Sequence, residues 1–183
     1  KVAVPTSARR RVLGLSLINA SISLPLTTLL LLSPEIARDN NWTTTTVGGT
    51  VIAAAILAGL VGAPLSDRVP FNRRTAASVV FAVNSAVFAL LMNLIPAFGW
   101  FLLVALARGV LFGLGAPIWR TLAFDSTVPE ARARAIARTH MGTLIGSALG
   151  GACAWIAIAG LTIGTGQALL LSGILAVVLS LGS

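Results

Sequence analysis

Six apolar runs joined by short charged loops constrain this chain more than any other feature. They fall at roughly residues 12–33, 44–65, 74–95, 99–122, 139–159 and 164–181. Crossing the hydrocarbon core of a bilayer takes ~20 mostly apolar residues in a helix, and each run is close to that length. The background between the runs does not suggest a soluble domain. Only 10% of the residues are charged and 56% are hydrophobic, against ~25% charged in soluble domains. Mean hydropathy is +0.94. The expected fold is an all-α membrane protein of six transmembrane helices in a single bundle. The first run is too long for the apolar region of a signal peptide, and five more follow it. The chain opens on Lys1 rather than Met, so a fragment or processed form of something longer is expected.

The net charge of +8 raises the question of nucleic acid, but its placement answers it. The basic residues sit at the ends of apolar runs, as membrane topology requires. With the N-terminus in the cytoplasm, Lys1, Arg9, Arg10, Arg11, Arg68, Arg73, Arg74, Arg120, Arg132, Arg134 and Arg138 all lie inside, and only Arg38 lies outside. That asymmetry is the positive-inside pattern. It puts both termini in the cytoplasm of an integral membrane protein, and the alanine- and arginine-rich composition suits a bacterial cytoplasmic membrane. The outer loops, 34–43, a turn near Pro96 and the GLTIG stretch after Ala159, carry little charge. Asn41-Trp42-Thr43 has the form of a glycosylation sequon but hugs the membrane, and is read as a chance match.

Within the runs a few polar residues stand out. Arg108 lies near the middle of the fourth run. A guanidinium at bilayer depth costs ~2.5–3.5 kcal/mol or more, so it faces the bundle interior or a wet cavity. Arg108, Phe112, Gly115 and Trp119 share one helical face by their spacing. Two roles are open for Arg108: a cavity-lining cation that meets an anionic substrate, or a structural residue tying helix carbonyls together. Ser16, Asn19, Ser23 and Thr27 form a polar stripe on the first helix, next to Pro25, which permits a bend. Ordinary hydrogen bonding to a neighbouring helix would equally explain such a stripe. Gly142, Gly146 and Gly150, with Gly151 beside them, recur every four residues and let a neighbouring backbone approach closely. His140 is read as an interfacial surface residue rather than a proton relay.

Several segments carry a resemblance. The loop GAPLSDRVPFNRR, residues 62–74, resembles the G-x-x-x-D-R-x-G-R-R loop between the second and third helices of the major facilitator superfamily of transporters. Asp67 and Arg68 stand for its acidic-basic pair, and Arg73 and Arg74 for its basic pair. LARGVLFGLGAP resembles that family's fourth-helix motif around Arg108. DSTVPEARARAIARTH resembles its P-x-E-x-R-x-x-A loop before the fifth helix. GSALGG resembles the G-P-x-x-G-G motif of its antiporters, with Ser147 in the proline position.

The resemblance implies one half of a major facilitator fold, most naturally the N-terminal half. Its six helices would form two inverted three-helix repeats, and the glycine-rich second and fifth helices, with Gly48, Gly49, Gly59 and Gly62 in the second, are similar in kind. It implies a secondary active transporter of a small solute working by alternating access, completed by a second six-helix half from the same gene, a separate chain or a second copy. Helices 1 and 4 would line the substrate pathway through Asn19, Ser23, Thr27, Arg108, Phe112 and Trp119, and the substrate would tend to be anionic. Asp67, Arg68, Arg73, Arg74, Asp125 and Arg132 would form a cytoplasmic gate. Solvated topology charges are the plainer account of that cluster apart from Asp67, for which the gate is favoured. The departures in motif spacing also fit a non-transporting subunit that scaffolds a larger membrane complex.

Other classes are disfavoured. Cys153 is the only cysteine, so no internal disulfide and no multi-cysteine metal motif exists. The five acidic residues, Glu35, Asp39, Asp67, Asp125 and Glu130, all fall in loops or at helix ends, so no carboxylate titrates at membrane depth. No phosphate-cradling loop or nucleophile–base pattern is present. No enzyme, cofactor or metal is expected.

Overall fold

The computed structural model describes residues 6–70, 74–91, 97–125, 127–159 and 163–183. Among them the backbone is helical, with no strand. The elements are α1 (Thr6–Leu31), α2 (Ser33–Asp39), α3 (Thr44–Leu57), α4 (Ala63–Ser66), α5 (Arg74–Leu91), α6 (Phe98–Asp125), α7 (Arg132–Ile158) and α8 (Thr165–Leu181). Arg9–Leu31, Phe98–Asp125 and Pro129–Ile158 are long and apolar enough to cross a membrane. Large apolar side chains also cover the outside, among them Leu60, Leu144, Trp155 and Leu181. Both features support a membrane protein.

Several helices run past the apolar runs that announced them. α1 begins six residues before Val12, through Arg9–Arg11, and α7 begins seven residues before Thr139. Hydropathy ends where the bilayer would end, but Ala and Arg are strong helix formers and carry the backbone onward. The 34–43 segment, expected as a loop, contains α2. Pro34 occupies its first turn with Glu35, Arg38 lies in its last turn, and both placements favour a helix. Arg38 pairs with Glu35 and lies 3.8 Å from Asp39. Asn41, at φ 56°, then reverses the chain, and Trp42 packs on Phe98 and Phe101 with ring centroids 5.2 and 5.7 Å apart.

Between α3 and α4 the helix widens into a π-turn, Ala58–Gly62. Such turns insert a residue without ending the helix, so residues 44–66 form one helical rod. Pro25 interrupts α1 in a different way. It has no N–H for the Ser21 carbonyl, and the Ser21 hydroxyl donates to Ile18 O at 2.7 Å.

Small residues decide which helices meet. A methyl group at Gly142, Gly146 or Gly150 would collide with the carbonyl of Ser16, Ala20 or Leu24, so α7 lies backbone to backbone on α1. The same holds for Gly109 against the carbonyl of Ala54, and for Gly62 against Val110 and Gly113, which seats α3–α4 on α6. These two pairings are the most extensive in the bundle, followed by α1 with α8, α5 with α6, and α5 with α8. Gly151 would meet only Leu31, at 3.9 Å, and Gly48 and Gly49 have nothing within 4 Å. Two apolar clusters fill the interior. One gathers Leu29, Leu32, Val47, Val51, Phe101 and Leu169. The other gathers Leu15, Ile18, Ile22, Ala82, Trp119 and Ala123.

Candidate functional site

The site grows from the face of α6 that carries Arg108. The glycine contact with Ala54 presses this part of α6 onto α3 and turns Arg108 toward α1. Its side chain is only 7% exposed. Nη2 donates to the Ile22 carbonyl at 3.2 Å, one residue beyond the carbonyl that Pro25 leaves without a helical donor. Nε has no hydrogen-bond partner. Among the described residues the ion pairs all involve Arg38, so Arg108 is a buried cation with no carboxylate partner. A cavity of about 50 Å³ adjoins it, walled by Ile22, Leu26, Val51, Ala105 and Phe112. Space of that size admits a water molecule, although the unpartnered Nε has almost no surface open to it.

Ile22 and Phe112 also wall a second, larger chamber of about 260 Å³. α1 contributes Asn19 and Ser23, α6 contributes Phe112, Trp119 and Arg120, and α7 contributes Thr139, His140 and Thr143. Trp119 is 4% exposed, yet its Nε1 has no partner. Its ring lies over Gly115, where a methyl group would strike it, and it meets Phe112 at 5.9 Å between centroids. Gly115 therefore makes the slot that lets a large indole lie against its own helix. No Asp or Glu lines the chamber. Its charged or chargeable groups are Arg120 and His140, both exposed.

Arg108, Asn19, Ser23, Phe112 and Trp119 thus border two adjoining cavities. Thr27 lies elsewhere, on the seam with α7, where its hydroxyl donates to Ser147 Oγ at 3.2 Å. Ser16 and Asn19 of the α1 stripe also bond across that seam, as does the neighbouring Thr28. Ser16 donates to Arg138 O at 3.0 Å, Asn19 Nδ2 to Thr139 O at 3.3 Å, and Thr28 to Gly150 O at 3.1 Å. Ser23 donates within α1, to Asn19 O at 2.9 Å.

The charged loops are less closely joined. Asp67 closes α4 and is exposed, as are Arg68, Asp125 and Arg132. Among the described residues no ion pair links them. Arg132 instead stands 5.7 Å over the ring of Phe124, itself a chamber residue. Arg73 lies outside the described residues, as does the side chain of Arg74.

The residues of α7 that line the chamber, Thr139, His140 and Thr143, lie outside the pathway expected from the sequence. The signal was present but indirect. Thr139 and Thr143 each stand three residues before a seam glycine, Gly142 or Gly146, and so share a side of α7 with it. Comparison with protein-family models and with characterised proteins finds no match to this chain.

Proposed function

We propose that the chain is one six-helix half of a secondary transporter of major facilitator type, and that it moves a small solute by alternating access with a second half. The observation that carries this reading is the pairing of helices across two triplets: α1, α3–α4 and α5 against α6, α7 and α8. The first helix of each triplet packs on the second of the other, α1 on α7 and α6 on α3–α4. The third packs on the first of the other, α8 on α1 and α5 on α6, and the two thirds meet. Two inverted repeats related by a two-fold axis produce that exchange. On this reading all six rods span the membrane, the termini are cytoplasmic, and the α1–α6–α7 cavities open onto the route between halves. Asp67, Arg68, Arg73, Arg74, Asp125 and Arg132 lie at the cytoplasmic mouth, where gate contacts would form and break as the halves rock.

A scaffold role has its own support, because Arg108 and most of the α1 stripe are already engaged with neighbouring helices. Asn19→Cys in a Cys153→Ser background separates the two readings. In sealed vesicles of both orientations, with the second half present, a carrier is labelled at position 19 by an impermeant maleimide from either side. Labelling from one side only, or from neither, contradicts alternating access. Arg108→Met sharpens the result. A carrier loses the two-sided labelling while its melting temperature holds, since removing an unpaired buried charge relieves its burial cost. A structural arginine gives lower stability instead.

A further inference from the structure

A third space lies apart from the cavities at Arg108 and Trp119. It is an open groove of about 100 Å³ between the first turns of α1 and α5, with Leu122 of α6 also in its lining. Arg11, Leu15 and Ile18 follow at four and three residues and share one side of α1, as Thr75 and Val79 do on α5. Both helices start at the basic end of the bundle, so the groove has a direction. Arg11 and Thr75, both exposed, stand at one end, and Leu15, Ile18 and Val79 follow toward the other. From Arg11 to Ile18 is ~10 Å along a helix. Leu13 and Val80, beside the groove in the chain, are exposed apolar residues, as befits a surface turned to lipid.

The polar groups at the mouth are open to a ligand. Among the described residues every ion pair involves Arg38, so Arg11 has no carboxylate partner, and no acidic residue lines the groove. The hydroxyls of Ser78 and Ser183, also in the lining, already donate to Thr75 O at 2.7 Å and Ser180 O at 2.6 Å. The Arg11 guanidinium and the Thr75 hydroxyl remain. Arg9 and Arg10, exposed as well, precede Arg11 on α1. The positive-inside pattern accounts for charge at this end of a helix, but not for an apolar slot that opens directly beneath it.

We infer that this groove holds one anionic phospholipid, with its phosphate against Arg11 and Thr75 and the start of an acyl chain between α1 and α5. The inference rests on the membrane placement of the chain and not on transport. With Arg11 at headgroup level, Leu15 and Ile18 lie one and two turns deeper, in the hydrocarbon. Basic pockets between membrane helices suit anionic headgroups, and each arginine near an anionic surface contributes ~1 kcal/mol. A zwitterionic lipid would bring its own cation against Arg9, Arg10 and Arg11, with no acidic residue in the lining to receive it. A free phosphate would leave the apolar part of the groove unfilled.

Native mass spectrometry of the chain in a neutral detergent counts bound lipids directly. One dioleoylphosphatidylglycerol is expected to bind several-fold more tightly than the next, and more tightly than the first dioleoylphosphatidylcholine. Arg11→Gln is expected to weaken that first phosphatidylglycerol about fivefold, with an effect that shrinks as salt rises. Thr75→Trp, which blocks the mouth from an exposed position, is expected to weaken it at least as much. Arg134→Gln removes the same charge from an exposed position at the same end of the bundle, and is expected to leave it unchanged. Glycerol 3-phosphate at equal concentration is expected not to displace the lipid. Equal affinity for the two lipids overturns the inference, and this comparison on the unsubstituted protein decides even where a variant melts differently. Equal weakening by Arg134→Gln and Arg11→Gln also overturns it, as does full phosphatidylglycerol affinity in Thr75→Trp. Displacement by glycerol 3-phosphate would mean that a soluble phosphate is recognised instead.

Discussion

The α1–α7 seam and the α3–α6 seam solve one packing problem in two ways. Both bring backbones into contact through glycine. On the first seam all the glycines belong to α7, and side chains of α1 add hydrogen bonds along its length, from Ser16 at one end to Thr28 at the other. On the second the glycines are divided between the helices, a π-turn ends at Gly62, and no side-chain hydrogen bond crosses it among the described residues. The first seam is fastened at fixed positions along the chain. The second is held by contact alone, and small sliding of packed helices is the cheapest way for such a seam to move. The larger chamber borders the fastened seam, so its α1 and α7 walls move together, whereas α6 can shift against α3.

Substitutions break or sharpen this contrast, in order of expected effect. Gly146→Leu drives a side chain into the Ala20 backbone at the middle of the fastened seam. It should prevent accumulation of folded protein in the membrane, read as loss of a monodisperse peak in detergent. Gly109→Ala adds one methyl against Ala54 on the unfastened seam. The methyl meets the Ala54 backbone, most closely at the carbonyl oxygen, so only movement of the whole helix relieves the clash. The cost should reach the upper part of ~1–3 kcal/mol for overpacking, seen as a clear fall in melting temperature. Thr28→Val keeps shape and removes the bond to Gly150 O. Interhelical hydrogen bonds of this kind average ~0.6 kcal/mol in membranes, and the melting temperature should fall slightly. Gly48→Ala adds a methyl where nothing lies within 4 Å, and stability should change by no more than ~0.5 kcal/mol. A larger loss at Thr28 than at Gly109 would reverse the contrast.

The sequence made some of this arrangement legible. The Arg108–Phe112–Trp119 face followed from helical spacing, and the glycine stripe of α7 followed from its four-residue period. What escaped depends on how helices are rotated about their axes. The part of Thr139, His140 and Thr143 in the chamber is set by which way the glycine stripe turns α7 against α1, and one sequence does not state the partner. Gly48, Gly49 and Gly62 read as one glycine-rich helix, yet Gly48 and Gly49 face open space, because the close crossing with α6 occurs a few turns later. The π-turn lies at that crossing and has no local signature in the sequence. The helix at Ser33–Asp39 is legible in Pro34, Glu35 and Arg38, but its polar composition between two apolar runs has the hydropathy of a loop.

Two tryptophans test the central claim most directly. Trp119 is 4% exposed but borders the larger chamber, whereas Trp155 is 62% exposed on the outer surface of α7. In lipid nanodiscs, hydroxyl-radical footprinting reports which of them meets water. If the chamber is a water-filled part of a transport route, Trp119 is oxidised rapidly and Trp155, covered by acyl chains, is spared. Oxidation of Trp155 with Trp119 protected would mean that the bundle encloses a dry core and that its outer face is not in lipid.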